Sequence, residues 1–382
     1  MTTSPSRILT THVGSLPRPE MLLTLLQQRE DGVLGDVAAF DRAVARSVAA
    51  LVRRQVETGI DIVSDGEAGK ISYATYVRNR LAGFADVSQS EKSQPHLDVS
   101  PFPEFQRRMA LLTGTRRFKR VACIGPVALH DREALQKDLA HMLAAVDAAR
   151  PVGAFLNAAS PGVVASFLPN RFYPRHDDYV AAIAEAMREE YEAIVKAGFL
   201  LQIDCPDLAM SRHTAFQDLT EPEFLRRAQL HVDLLNRALG NIPPEMVRVH
   251  VCWGNYEGPH DHDIDLRKII DIVLGIEARF FSLEAANPRH EHEWQIWQET
   301  PLPDDKVLMP GVIDTSTNYV EHPELVAQRI ARFAAAVGRE RVIASTDCGF
   351  GTSAGYGKLD PGIAFLKLRA LVEGAALAST RL

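Results

Sequence analysis

The sequence predicts an α/β fold: a (β/α)8 barrel of the TIM class with an N-terminal extension over the barrel mouth. Three observations point there. Short apolar, β-branched runs ending in polar residues recur along the chain, amphipathic segments follow them, and the repeat returns about every 40 residues. A doubly wound open sheet shares these features, and periodicity does not separate the two. Either way, chemistry belongs at the C-terminal ends of the strands. The 382 residues fit one barrel domain over 1–382. Residues 1–20 form its N-terminal segment and 86–119 an excursion between strands.

Eight runs read as strands: Ile60–Ser64, Arg120–Ile124, Val152–Leu156, Leu200–Asp204, Val247–Cys252, Phe280–Glu284, Val307–Val312 and Val342–Thr346. Each is short and apolar, as strands buried on both faces are. The segments Phe40–Glu57, Arg132–Ala149, Tyr179–Ala197, Glu221–Leu239, Asp265–Leu274, Pro323–Val337 and Lys358–Leu377 read as helices. Their apolar residues recur at three and four, as in Phe40, Val44, Val48 and Leu51. Gly59, Gly198 and Gly338 stand where helices stop before the next strand. The polar stretch Asp86 to Pro103 reads as a long excursion or hairpin.

Composition narrows the function. Lys and Arg number 42 against 49 Asp and Glu, a formal charge of −7. A mildly acidic chain with no basic block is not built for nucleic acid. No apolar run is long enough to span a membrane, and Met1 to Pro19 has no signal-peptide pattern. Four cysteines are too few for a disulfide scaffold. The expectation is a cytoplasmic enzyme with reduced thiols.

Three strand ends carry metal-ligating residues. His250 and Cys252 stand at i and i+2, so they share a face of one strand. Glu284 closes the next run, and Cys348 follows the last one in Asp347-Cys348-Gly349. Tetrahedral zinc takes Cys, His and carboxylate ligands, and thiolate sulfur favours zinc over magnesium or calcium. A metal ionises a coordinating thiol that is otherwise protonated near neutral pH. Thiolate ligands weaken the metal as a Lewis acid toward water, so this set suits thiol alkylation better than hydrolysis. Cys123 and Cys205 read as packing residues, since a lone Cys is usually buried.

His250-Val-Cys252-Trp-Gly, Ser282-Leu-Glu284 and Thr346-Asp-Cys348-Gly resemble the zinc motifs of the cobalamin-independent methionine synthase family. The likeness runs from Thr10-Thr-His-Val-Gly-Ser-Leu-Pro-Arg18 to the last motif. It implies a zinc-bearing barrel in which His250, Cys252, Glu284 and Cys348 bind Zn2+. It also implies that Gly14 and Ser15 hold the carboxylate of a thiol amino acid, while Glu67 and Asp204 meet its amine. From the residues alone, Gly14-Ser15 reads either as an ordinary turn or as an anion nest. His12 is a further candidate for the same mouth.

The chain also departs from the long members. It matches their catalytic half and is expected to sit with the short, single-barrel members. Cys205-Pro206 follows Asp204 where the long members have an acidic residue. Ser316 stands where they carry a His proposed to assist proton transfer. Tyr73, Tyr76, His290 and His292 are the candidates for a replacement acid, and nothing in the sequence chooses among them. The leading expectation is a zinc-dependent methyl or alkyl transfer to a small-molecule thiol, with a homocysteine-type acceptor and a folate-type or other donor. A thiol addition to an epoxide, as in epoxyalkane:coenzyme M transferases, is the alternative. A non-catalytic thiol- or zinc-binding barrel comes third. A methyl-donor protein and a homo-oligomer are further partner options that sequence leaves open.

Overall fold

The computed structural model describes residues 6–87, 96–113, 120–357 and 359–382. In chain order the elements are β1 (Leu9–Thr10), α1 (Glu20–Asp31), α2 (Val37–Thr58), β2 (Ile62–Ser64), β3 (Leu81–Asp86), α3 (Pro103–Thr113), β4 (Val121–Leu129), α4 (Arg132–Ala149), β5 (Gly153–Ala159), α5 (Pro161–Phe167), α6 (His176–Lys196) and β6 (Leu200–Asp204). They continue with α7 (Glu221–Leu239), β7 (Val247–Val251), α8 (Leu266–Leu274), β8 (Phe280–Glu284), α9 (Ile296–Glu299), β9 (Val307–Gly311), α10 (Pro323–Val337), β10 (Ile343–Ala344) and α11 (Pro361–Arg381).

A curled parallel sheet runs β2-β5-β6-β7-β8-β9. Beside it, β1 and β10 pair in parallel, Leu9 opposite Ile343 and Thr10 opposite Ala344. Bridges Leu308–Val342 and Gly311–Ser345 tie the β10 segment to β9. On the other side, Asp61 N donates to Thr10 O at 3.2 Å. Strands β6, β7 and β8 are buried at every position, because helices cover one face and the sheet's own curl covers the other.

Alternation sets what the concave face carries. Leu9, Ile62, Phe155, Leu200, Phe280, Val307, Met309 and Ile343 form an apolar layer separate from the helix-side core. On β7 the corresponding place belongs to Arg248, whose guanidinium lies 3.7 Å over the Phe155 ring. Two residues further along, the same face turns polar with Asn157, Gln202, His250, Ser282 and Ser345. Another two bring Asp204, Cys252 and Glu284 to the rim.

Helix boundaries follow local chemistry. Asp131 caps α4 by accepting from Glu133 N and Ala134 N. Thr220 and Glu223 close a capping box on α7. Gly59 takes φ 99° at the end of α2, a left-handed stop open to glycine.

Two expectations need correction. The run Arg120–Ile124 is not a strand of the parallel sheet. It lies within β4, which pairs antiparallel with β3, Phe84 opposite Cys123. Only Val121–Cys123 of β4 is buried, and Ile124 is 53% exposed, so β4 lacks the two covered faces of an inner strand. Leu9–Thr10, expected as part of an extension over the mouth, is instead a strand in register with β10; residues 12–15 beyond it reach the rim. Helices α1, α3 and α5 lie in segments the periodicity left unassigned. Parts of the 86–119 excursion (88–95 and 114–119), and Lys358 of the expected last helix, fall outside the described residues. Among the described residues no helix is long and apolar enough to cross a membrane.

Candidate metal and substrate site

The rim brings three predicted ligands together. The ligand atoms of His250, Cys252 and Cys348 all lie within 4.8 Å of one another, and all three residues are buried. His250 and Cys252 leave β7 on one face. Cys348 arrives from the turn after β10, which Asp347 N fastens to Ile313 O at 2.8 Å. Gly311 permits this approach, since a Cβ there would lie 2.5 Å from the Asp347 Cα. Both ring nitrogens of His250 are buried without a hydrogen-bond partner. A buried imidazole with no partner is costly, and a cation would satisfy it.

The electrostatics suit one thiolate rather than two. Cys348 beside it holds Cys252 well below the usual thiol range, against the pull of burial and with help from His250. The Cys348 thiol is pushed well up by Cys252, burial and Glu284. Burial lowers His250, yet Cys252 and Asp204 outweigh it and leave its pKa raised.

Glu284 stands outside that triad. Its Oε1 accepts from Trp253 N at 2.9 Å and its Oε2 from Asn287 Nδ2 at 2.7 Å. Burial, with Cys252 and Asp347 adding to it, raises its carboxyl well above the usual range, although His290 opposes. The loop that carries Glu284 onward is pinned by Asp347, which accepts from Ala285 N, Ala286 N and Asn287 N, each at 2.8 Å. Burial pushes Asp347 up to about 7 despite these donors.

Two cavities meet at the triad. Val13, Ser15, Glu67, Asp204, His250 and Cys348 are among the lining of the first. Gly254, Glu284, Asp314, Ser316 and Cys348 are among the lining of the second. Cys348 borders both.

In the first cavity Glu67 and Asp204 form a buried carboxylate pair. Glu67 Oε2 has no hydrogen-bond partner, and its backbone sits at φ 52°, a strained conformation for a side-chain-bearing residue. Asp65 Oδ1 accepts from Glu67 N at 2.9 Å and Arg18 donates to Glu67 O, which hold that turn. Burial pushes the Glu67 carboxyl up to about 7; Asp204 adds to this while Lys70 and Arg18 oppose it. Asp204 is also raised by burial. Its oxygens are already engaged, by Asn157 Nδ2 at 3.0 Å and Gln202 Nε2 at 2.9 Å. The same two amides donate to Val13 O, which ties Asp204 to the Gly14-Ser15 loop. Gly14 has φ 139°, and a Cβ there would fall 2.3 Å from Asn157 Oδ1.

The other candidates separate by position. His12 does not border the first cavity. Its Nε2 donates to Gln55 Oε1 at 2.7 Å and its Nδ1 accepts from Gly14 N at 3.1 Å. Burial lowers its pKa to about 4, so it is a neutral prop for the glycine loop. Ser15 lines the first cavity, and its Oγ accepts from Gly351 N at 3.3 Å. Ser316 lines the second cavity and donates to Asp314 Oδ1 at 2.8 Å. Tyr73 lines the first cavity. Tyr76 instead donates to Glu190 at 2.6 Å. His290 stacks on Trp253 at 4.1 Å, between Asp263 and Glu293 at 3.0 Å each. Those two carboxylates outweigh burial and raise it to about 10. His292 is exposed. Cys123 and Cys205 are buried and free, as expected of packing residues. Sequence reasoning missed Asn157, Gln202 and Asp347. A signal was available for Asn157 and Gln202, since each stands two residues after an inward apolar residue of its strand, Phe155 and Leu200.

A family model for the catalytic domain of cobalamin-independent synthases matches residues 8–94 and 135–375. The chain is 26% identical over 375 residues to a methionine synthase of Thermococcus kodakarensis, covering 96% of this chain and 92% of that protein. It is 25% identical over 365 residues to the methionine synthase of Pyrococcus furiosus, covering 95% and 90%. Among solved structures, a B12-independent methionine synthase from Shewanella sp. in complex with selenomethionine superposes with TM-score 0.73 and 19% identity, over 98% of both chains. That likeness concerns the fold.

Proposed function

Because the chain belongs to the cobalamin-independent methionine synthase family, we propose that it transfers a methyl group to the thiol of homocysteine at a zinc site formed by His250, Cys252, Cys348 and Glu284. The observation that carries this reading is the buried triad with an unpartnered imidazole where two cavities meet. Two sulfurs, one imidazole and a carboxylate are a zinc donor set. In Glu284 each oxygen accepts one hydrogen bond and keeps a lone pair for a cation. Zinc, when bound, supplies ionisation of the acceptor thiol at neutral pH.

The chain's own residues do the rest. Ser15 and the Gly14 loop receive the acceptor's carboxylate. Glu67, ionised, receives the acceptor's ammonium on its free Oε2. Asp204, oriented by Asn157 and Gln202, reinforces that charge and keeps the glycine loop in place. The first cavity would hold the acceptor and the second the donor, with Cys348 bordering both. An anionic pair in the acceptor cavity suits a thiol that carries an amine. It opposes a thiol that carries only a sulfonate, so the epoxide-opening reading is the less favoured one.

The finer reading of the fold is one ring of eight parallel strands, β1-β2-β5-β6-β7-β8-β9-β10. It rests on the β1–β10 register, the bridges from β9 and the Asp61–Thr10 hydrogen bond. The function is tested by metal analysis together with a thiol panel. About one zinc per chain should depend on the thiolates, Cys348→Ser should lower both zinc and activity, and homocysteine should outperform coenzyme M as acceptor. Unchanged zinc in Cys348→Ser, or activity with coenzyme M alone, would overturn the assignment.

A further inference from the structure

A second cluster of metal-ligating side chains lies beside the second cavity and has no part in the proposed transfer. The ligand atoms of His96, Asp98 and His213 lie within 4.8 Å of one another. The side chains of His213 and Asp98 are fully buried. Neither ring nitrogen of His213 has a hydrogen-bond partner, nor does the buried Nδ1 of His96. His213 Nε2 stands 3.6 Å from Asp98 Oδ2, and its Nδ1 stands 3.4 Å from Asp263 Oδ1. The first gap is too long for a hydrogen bond. It is close to the edge of a tetrahedron of zinc ligands, roughly 3.4 Å for bonds of about 2.1 Å.

The surroundings are those a metal-bound histidine requires. With Nε2 on a cation, Nδ1–H points at Asp263, and a carboxylate in that position fixes the ring and its tautomer. Asp263 is held in turn by His290 at 3.0 Å and by His260 at 3.1 Å. Asp98 is oriented by the Tyr256 hydroxyl and by His262 N at 3.1 Å. The His96 ring packs 5.1 Å from His213 and 5.0 Å from Tyr256.

We propose that His96, Asp98 and His213 form a second site for a divalent transition cation of the zinc class, with Asp263 supporting His213. Imidazole with carboxylate and no sulfur suits Zn2+ and Co2+. The site would clamp the 96–100 turn, which Leu97 N already joins to His213 O, against Tyr256 in the wall of the second cavity.

The test uses the full chain, stripped by a chelator, titrated with Co2+ and counted for metal after gel filtration. Thiolate ligation gives intense near-ultraviolet charge-transfer absorption, whereas imidazole and carboxylate ligation does not. Two equivalents are expected in the wild type. His213→Gln should lose one equivalent and keep the band, whereas Cys348→Ser should weaken the band and keep the equivalent that depends on His213. Asp98→Asn gives the same readout if His213→Gln fails to fold. A wild type that binds one equivalent carrying the band overturns the proposal, as do two equivalents retained in folded His213→Gln or Asp98→Asn. A single bandless equivalent abolished by His213→Gln supports this site and instead removes the thiolate one.

Discussion

Glu67→Gln should raise stability and impair acceptor binding at the same time. Its carboxyl titrates near 7 in the folded chain against an ordinary 4.5. The folded state therefore holds its proton more tightly than the unfolded one, and the sign follows. Stability from this group is fully present below pH 4.5 and is lost as pH rises through 7. At pH 8 the ionised Glu67 costs the fold about 3 kcal/mol. Glutamine removes that cost, and at about 2.1 cal/mol/K per residue the melting temperature should rise by about 4 °C. At pH 5 the gain should fall to about 1 kcal/mol or less. Acceptor binding moves the other way. Removing one partner of a buried charge pair costs about 2–5 kcal/mol, so KM for homocysteine should rise by about 30-fold or more. In the wild type, KM should rise as pH falls below 7, because only the ionised carboxylate holds the ammonium. Differential scanning fluorimetry at pH 5 and 8, with initial rates against acceptor concentration, reads both effects. A variant that melts lower at pH 8, or keeps its KM, would refute the reasoning.

Two other changes test the scaffold around the site. Gly14→Ala should place its Cβ on the Asn157 amide at a backbone angle that disfavours side chains. We expect a loss of about 2–4 kcal/mol in urea melts and a higher acceptor KM. A neutral result would mean that Asn157 does not hold the loop. Asp347→Ala removes the acceptor for three backbone N–H groups between Ala285 and Asn287. Glu284 should lose its fixed position, with zinc affinity reduced about 10–100-fold in competition against a chromogenic chelator; unchanged affinity would place Glu284 outside the metal's control.

Two of the candidate metal ligands were legible because their relation is local. His250 and Cys252 sit two apart on one strand, and strand ends face the mouth, so sequence spacing alone implied a shared direction. Leu200–Asp204, Phe280–Glu284 and Pro323–Val337 were equally readable from apolar runs and helical spacing. What failed depended on partners far away in the chain. Val-Ala-Cys-Ile looks like an inner strand, but its neighbour is the β3 hairpin arm, and solvent meets it from Ile124 onward. Leu9–Thr10 is too short to show a period, and only β10 makes it a strand. The His96, Asp98 and His213 group was invisible because two loops separated by more than a hundred residues supply it. Asp347 lay within a motif already noted, yet its work is done on backbone groups, which carry no sequence signal.

The β1–β10 pairing also bears on how the molecule comes into being. Val13 N meets Thr346 Oγ1 across 333 residues of chain, and Gly351 N meets Ser15 Oγ across 336. Contacts of such separation carry the largest closure entropy and form late. On a ribosome the β2-to-β9 sheet can be complete while its first strand still waits for its partner. The Gly14-Ser15 loop and Cys348 lie on the two edges of that final seam. The cavity therefore comes together in the closing step of folding, once both strands of that seam have been made.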